Sequence, residues 1–92
     1  MDFEFDPKKS RINKVKHGID FEAAQSLWLS PHFEFPLITE GEPRWGVVGT
    51  IGKTYWTSII TKRSGLIRII SVRRSRDEEK QAYRSRFKED NE

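Results

Sequence analysis

The chain has 92 residues, 35% of them apolar and 34% charged, enough for one domain around one core. It has no cysteine, which excludes a disulfide framework and thiolate chemistry, and its apolar runs are far too short to span a membrane. The formal charge is only +3, yet residues 62–88 hold ten of the seventeen Lys and Arg against three acids, while the stretch between His17 and Pro43 has acids and no Lys or Arg.

The opening MDFEFD alternates Phe3 and Phe5 with acids, which predicts a short half-buried strand. It lacks the basic-then-apolar layout of a signal peptide, so a cytoplasmic protein is expected. Asp6 followed by Pro7 predicts the start of a first helix that runs to about His17 and stops at Gly18. Its apolar content is thin, chiefly Ile12 and Val15, so most of it should face water. Asp20 caps a second helix in which Phe21, Ala24, Leu27 and Trp28 share a face, and Ser30-Pro31 ends it.

Strand patterns follow. Phe33, Phe35 and Leu37 alternate, and Pro36 places them at a sheet edge. Arg44–Ile51 is a strand whose two glycines predict a bulge. Thr54–Lys62 and Leu66–Arg73 follow across short turns, so these strands run antiparallel. Ser75 with Glu78 three residues on reads as a capping box, opening a last helix in which Ala82, Tyr83 and Phe87 face inward; the tail beyond Lys88 should fray. The order is α+β: a short strand, two helices, an antiparallel meander of about four strands, and a C-terminal helix.

The stretch GLIRIISVRRSRDEEKQAY, residues 65–83, carries most of the information. It fixes several guanidinium groups on a strand and a helix, and guanidinium forks match phosphate oxygens. A phosphate-bearing partner, most plausibly RNA, follows from this and from the basic C-terminal third. A solvated surface of mixed charge is the plainer alternative.

The segments FEFDPKKSRINKVKHGIDFEAA, GEPRW and IRIISVRRSRDEEKQAY, in order across residues 3–87, resemble the BrnT toxins of bacterial type II toxin–antitoxin systems. The resemblance implies a RelE-like ribonuclease domain over residues 1–92, cleavage of mRNA, free or ribosome-bound, that stalls growth, and a BrnA-type antitoxin through which a complex would bind operator DNA. The competing class is a non-enzymatic nucleic-acid- or protein-binding subunit of a repressor complex.

Cleaving RNA without a metal requires a base for the 2′-OH, an acid for the leaving 5′-oxygen and cations on the phosphate. No metal or other cofactor is expected, because His17 and His32 lie fifteen residues apart with no ligand spacing around them. His17 is the obvious titrating group for catalysis or RNA contact, with a simple cap on the first helix as the plainer reading. His32 reads as a surface residue. Glu42 and Arg44, flanking Pro43, form either a loop ion pair or a base with a phosphate clamp. Arg68, sharing a face with Leu66, Ile70 and Val72 by period two, must find an acid or line a cleft; Arg73 should emerge on the opposite face, closer to solvent. Tyr83 offers a hydroxyl or a stacking ring, or simply a core contact. The candidate catalytic set is therefore His17, Glu42, Arg44, Arg68, Arg73 and Tyr83, with Lys16, Arg74, Arg76, Lys80 and Arg84 contacting RNA. Lys80, Arg84 and Lys88 form a helical stripe that would equally suit a solvated face. The concentrated charge from Arg63 to Lys88 would suit an acidic antitoxin segment laid over it.

Overall fold

The computed structural model describes residues 2–87, and the fraying expected beyond Lys88 lies outside them. In chain order the elements are β1 (Phe3–Glu4), α1 (Pro7–His17), α2 (Phe21–Ala24) running into a 3₁₀ turn (Gln25–Leu29), β2 (His32–Leu37), β3 (Arg44–Ile51), β4 (Thr54–Arg63), β5 (Leu66–Arg74) and α3 (Asp77–Arg86). The α+β order matches the expectation. The sheet order is β1-β5-β4-β3-β2, an antiparallel meander with β1 added parallel to β5. β2 is an edge strand, where the missing N–H of Pro36 breaks no ladder. No described helix is long and apolar enough to cross a membrane.

The local signals act where the residues place them. The Asp6 carboxylate accepts from the Lys8 N–H at 2.9 Å, Gly18 ends α1 at φ 85°, and Asp20 accepts from the Ala23 N–H at 2.8 Å. In the β4–β5 turn Ser64 (φ 49°) and Gly65 (φ 82°) are both left-handed, as a tight primed turn needs. The cap of α3 is one residue later than expected. Arg76 takes the cap position, and its N–H donates to the Glu79 carboxylate at 2.7 Å. Ser75 is instead buried, its hydroxyl 2.7 Å from that of Thr57.

The core lies between one face of the sheet and the first helices. Phe21, Ala24 and Leu27 pack on Val47, Trp56, Ile60, Ile69 and Val72, all buried. Each large aliphatic or aromatic side chain so enclosed contributes roughly 1.5–3 kcal/mol.

α1 is attached by polar groups. Ser10 and Asn13 are its buried residues, whereas Ile12 and Val15, its chief apolar residues, are 62% and 88% exposed. Asn13 Nδ2 donates to the carbonyls of Ile19 (2.8 Å) and Val72 (2.9 Å), and its Oδ1 accepts from the Val72 N–H (3.3 Å). β1 pairs β5 only at Ile67 and Arg68, so this amide takes over farther along as the edge partner of β5. The Ser10 hydroxyl accepts from the Phe21 N–H at 2.9 Å.

The bulge expected in β3 is absent; β3 pairs on both sides without a shift. A Cβ at Gly46 would run into the ring of Phe35, so this glycine makes room for a side chain instead. The irregularity lies between β4 and β5. Ile59 pairs Ser71 and Ile60 pairs Ile69, which leaves Ile70 as the extra residue. The bulge breaks the expected period-two face: Val72 leaves Arg68 and joins Ile69 in the core.

Candidate functional site

The face of the sheet away from α1 and α2 presents Arg44, Gly46 and Val48 from β3, Thr57, Ile59, Thr61 and Arg63 from β4, and Arg68, Ser71 and Arg73 from β5, as the register and alternation require. α3 reaches this face at the Thr57 end, where Glu79 bonds Thr57 at 2.9 Å. The other end gathers arginines.

At that end Arg68 pairs across the sheet with Thr61, and Arg44 begins β3 one residue before the Trp45–Ile60 pair, so it borders Thr61 from the other side. Adjacent strands lie about 4.8 Å apart, which sets the backbones of Arg44 and Arg68 roughly 10 Å apart across Thr61. Thr61 is fully buried, and its hydroxyl has no hydrogen-bond partner among the described residues. Arg68 faces Glu4 at 3.7 Å, too long for a strong pair. Glu42 pairs not with Arg44, as its position two residues away allowed, but with Arg63: Nε to Oε2 at 2.9 Å and Nη2 to Oε1 at 3.0 Å. The hydrogen bonds from Arg63 lower the Glu42 carboxyl below its ordinary value against the cost of desolvation, and the charges of Arg63, Arg44 and Arg68 add to the lowering. Arg44 makes no ion pair or side-chain hydrogen bond among the described residues.

At the α3 end the structure corrects the reading of Arg73. It lies on the same face as Arg68, and its side chain is less exposed, 22% against 30%. Its guanidinium forks onto Glu79 with Nη1 to Oε1 at 2.8 Å and Nη2 to Oε2 at 2.9 Å. Burial alone would push the Glu79 carboxyl up. The Arg73 fork, the Arg76 N–H and the Thr57 hydroxyl outweigh it and hold the group at about 2. Glu79 in turn raises the already high Arg73 value. Tyr83 is half-buried with Phe33, Tyr55 and Phe87 around its ring, and its hydroxyl donates to the Pro31 carbonyl at 3.1 Å. Arg84 lies 5.3 Å from the Tyr55 ring and is otherwise exposed; Lys80 is half-buried, and Lys88 is outside the described residues. Ala82, expected inward, is exposed.

His17 and Lys16 belong to α1, on the helical side, and the structure does not bring them to the arginine cluster. Arg74 is exposed and stacks 5.5 Å from the Trp56 ring, and Arg76 is exposed at the α3 cap. His32, read as a surface residue, is half-buried; its Nδ1 donates to the Ser30 carbonyl at 2.8 Å. A concavity lined by Phe3, Glu22, Gln25, Ser26, Trp28 and Leu29 has mainly apolar walls and no cation, so it offers phosphate nothing.

Sequence reasoning missed Glu4, Thr61, Arg63 and Glu79. Glu79 carried no capping signal, since its partner three residues back, Arg76, is not a residue that ordinarily caps a helix. The others join the cluster only through long-range pairing.

A search of curated proteins finds no match. A family model described as ribonuclease toxin, BrnT, of type II toxin–antitoxin system matches residues 5–79, which begin just after β1 and include α1, α2, the sheet strands β2 to β5, and Glu79.

Proposed function

Since the chain belongs to the BrnT family, the ribonuclease toxins of type II toxin–antitoxin systems, with RNA as substrate and an antitoxin as partner, we propose that its RNA site is the arginine end of the open sheet face. The observation that carries this reading is the Arg44–Thr61–Arg68 row: two guanidinium groups flanking a buried hydroxyl that has no hydrogen-bond partner among the described residues. In this reading residues 1–92 act as one RelE-like domain in the cytoplasm, the substrate is mRNA, free or on the ribosome, and a BrnA-type antitoxin supplies any binding to operator DNA.

The chemistry follows from the groups present. The 2′-oxygen attacks the adjacent phosphorus, the P–O5′ bond breaks, and a 2′,3′-cyclic phosphate remains. Glu42, next in chain to Pro43 and Arg44 and held ionised by Arg63, accepts the 2′-OH proton. Arg44 and Arg68 neutralise the charge that builds on the non-bridging oxygens. Water at the open end returns a proton to the 5′-oxygen. Tyr83 and Arg73 are engaged elsewhere and serve the scaffold, and Arg84 steers RNA. The proposed route uses these side chains and calls on no metal. Incubation with end-labelled RNA tests it. The products should carry a 2′,3′-cyclic phosphate, with the matching DNA spared for want of a 2′-OH. Activity abolished by EDTA and restored by magnesium would overturn it.

A further inference from the structure

α1 is built inside out. Its polar Ser10 and Asn13 are bonded into the body, while its aliphatic Ile12 and Val15 stand 62% and 88% exposed. At about 100° per residue, Ile12 and Val15 lie roughly 60° apart and nearly opposite the buried pair, so they form one apolar ridge. Lys8, Arg11 and Lys16 border the ridge, and the helix, PKKSRINKVKH, contains no acid. The hydrogen bonds that dock α1 on β5 come from Asn13 and do not use this ridge, which is left on the surface.

We propose that the outer surface of α1 is a docking surface for the antitoxin, which presents an apolar contact to Ile12 and Val15 framed by carboxylates for Lys8, Arg11 and Lys16. This rests on the family for the existence of an antitoxin, and not on the catalytic assignment. Charge complementarity selects an acidic protein segment. A second copy of the chain would set one basic frame against another. RNA is the poorer fit, because aliphatic side chains give its bases no plane to stack on. The ridge is also separate from the Arg44–Arg68 row, which lies on the other face of the sheet.

The experiment uses the purified chain and its purified cognate antitoxin. Wild type is compared with the double variant Ile12→Glu, Val15→Glu in titration calorimetry, melting, RNA cleavage and growth rescue on co-expression. Melting and cleavage should be unchanged, antitoxin affinity should fall about 100-fold, and rescue should fail. The pair Ile12→Ala, Val15→Ala should weaken binding less, and Ile12→Leu, Val15→Ile should retain it. If the glutamates lower the melting temperature, the alanine pair carries the test, since it adds no charge. Unchanged antitoxin affinity overturns the proposal. So does lost RNA cleavage with affinity intact, which would assign the ridge to RNA. A wild-type chain that fails to cleave RNA would sink the cleavage reading alone, because calorimetry still decides the docking.

Discussion

Arg68 and Arg73 are five residues apart on β5, yet both project to the same face of the sheet, opposite Thr61 and Thr57. In a regular strand an odd separation puts two side chains on opposite faces. The extra residue Ile70 cancels one step of the alternation. The two arginines share a face and differ in their partners: Arg68 has a distant acid, and Arg73 is forked onto a buried one.

Their substitutions should therefore separate. Arg68→Ala should leave stability within about 1 kcal/mol, as expected for a long, part-exposed pair. Its turnover at saturating RNA should fall roughly 10²–10³-fold, the loss for one transition-state donor. Arg73→Ala leaves Glu79 ionised and enclosed, which should cost about 3–5 kcal/mol. Denaturant melts and single-turnover cleavage on both proteins decide it. A folded Arg68→Ala chain with normal turnover would remove Arg68 from the site.

Glu79 makes the fold acid-labile in a defined window. Its folded value of about 2 lies below the ordinary 4.5, so its contribution is fully present above pH 4.5 and is lost as pH falls toward 2. The amount is on the order of 3 kcal/mol. Melting temperature should drop across that range, and Glu79→Gln, less stable at neutral pH, should flatten the drop. An identical acid limb in both proteins would show that Glu79 is not its source.

Glu42→Gln tests base against bystander. Losing the carboxylate frees Arg63 for phosphate, so RNA binding should tighten. Turnover should fall about 10²–10⁴-fold if Glu42 takes the proton. Because its value is lowered, the acid limb of the wild-type rate profile should lie below the ordinary carboxylate range. Tighter binding with undiminished turnover would make Glu42 only a competitor for Arg63.

Asn13→Leu should destabilise the chain more than any substitution on the outer face of α1. It bares the carbonyls of Ile19 and Val72 and the Val72 N–H, each at about 1–3 kcal/mol when left unsatisfied. Urea titration measures it, and a loss under about 1 kcal/mol would mean that water replaces the amide without cost.

Arg84→Ala should weaken RNA binding and flatten its salt dependence by about one phosphate contact, with saturating turnover kept. Lost turnover at saturation would move Arg84 into the reaction.

Much of this was readable from local chemistry. Asp6, Gly18 and Asp20 bound their helices because caps act through neighbouring backbone, and Pro36 marked an edge because a missing N–H has one meaning in a sheet. What escaped was non-local. Ile12 and Val15 have the spacing of an inward stripe, and only the fit of Asn13 against Val72 turns them outward. The run Ile69-Ile70-Ser71 contains no glycine to announce a bulge, so the face of Arg73 was inverted and its approach to Glu79 hidden. Glu42 met Arg63 across a turn, twenty-one residues away, while its near neighbour Arg44 was left over.

Closing the β5 flank with a side-chain amide also governs how this chain avoids its own kind. Exposed strand flanks are where foreign strands add and fibrils grow. β1 covers Ile67 and Arg68, and Asn13 takes both backbone groups of Val72, which interrupts the template on that side. On the far flank Pro36 interrupts β2. A chain dense in aromatic and β-branched strands thus has no long templating border on either side. Strand addition from another chain is thereby disfavoured on both flanks.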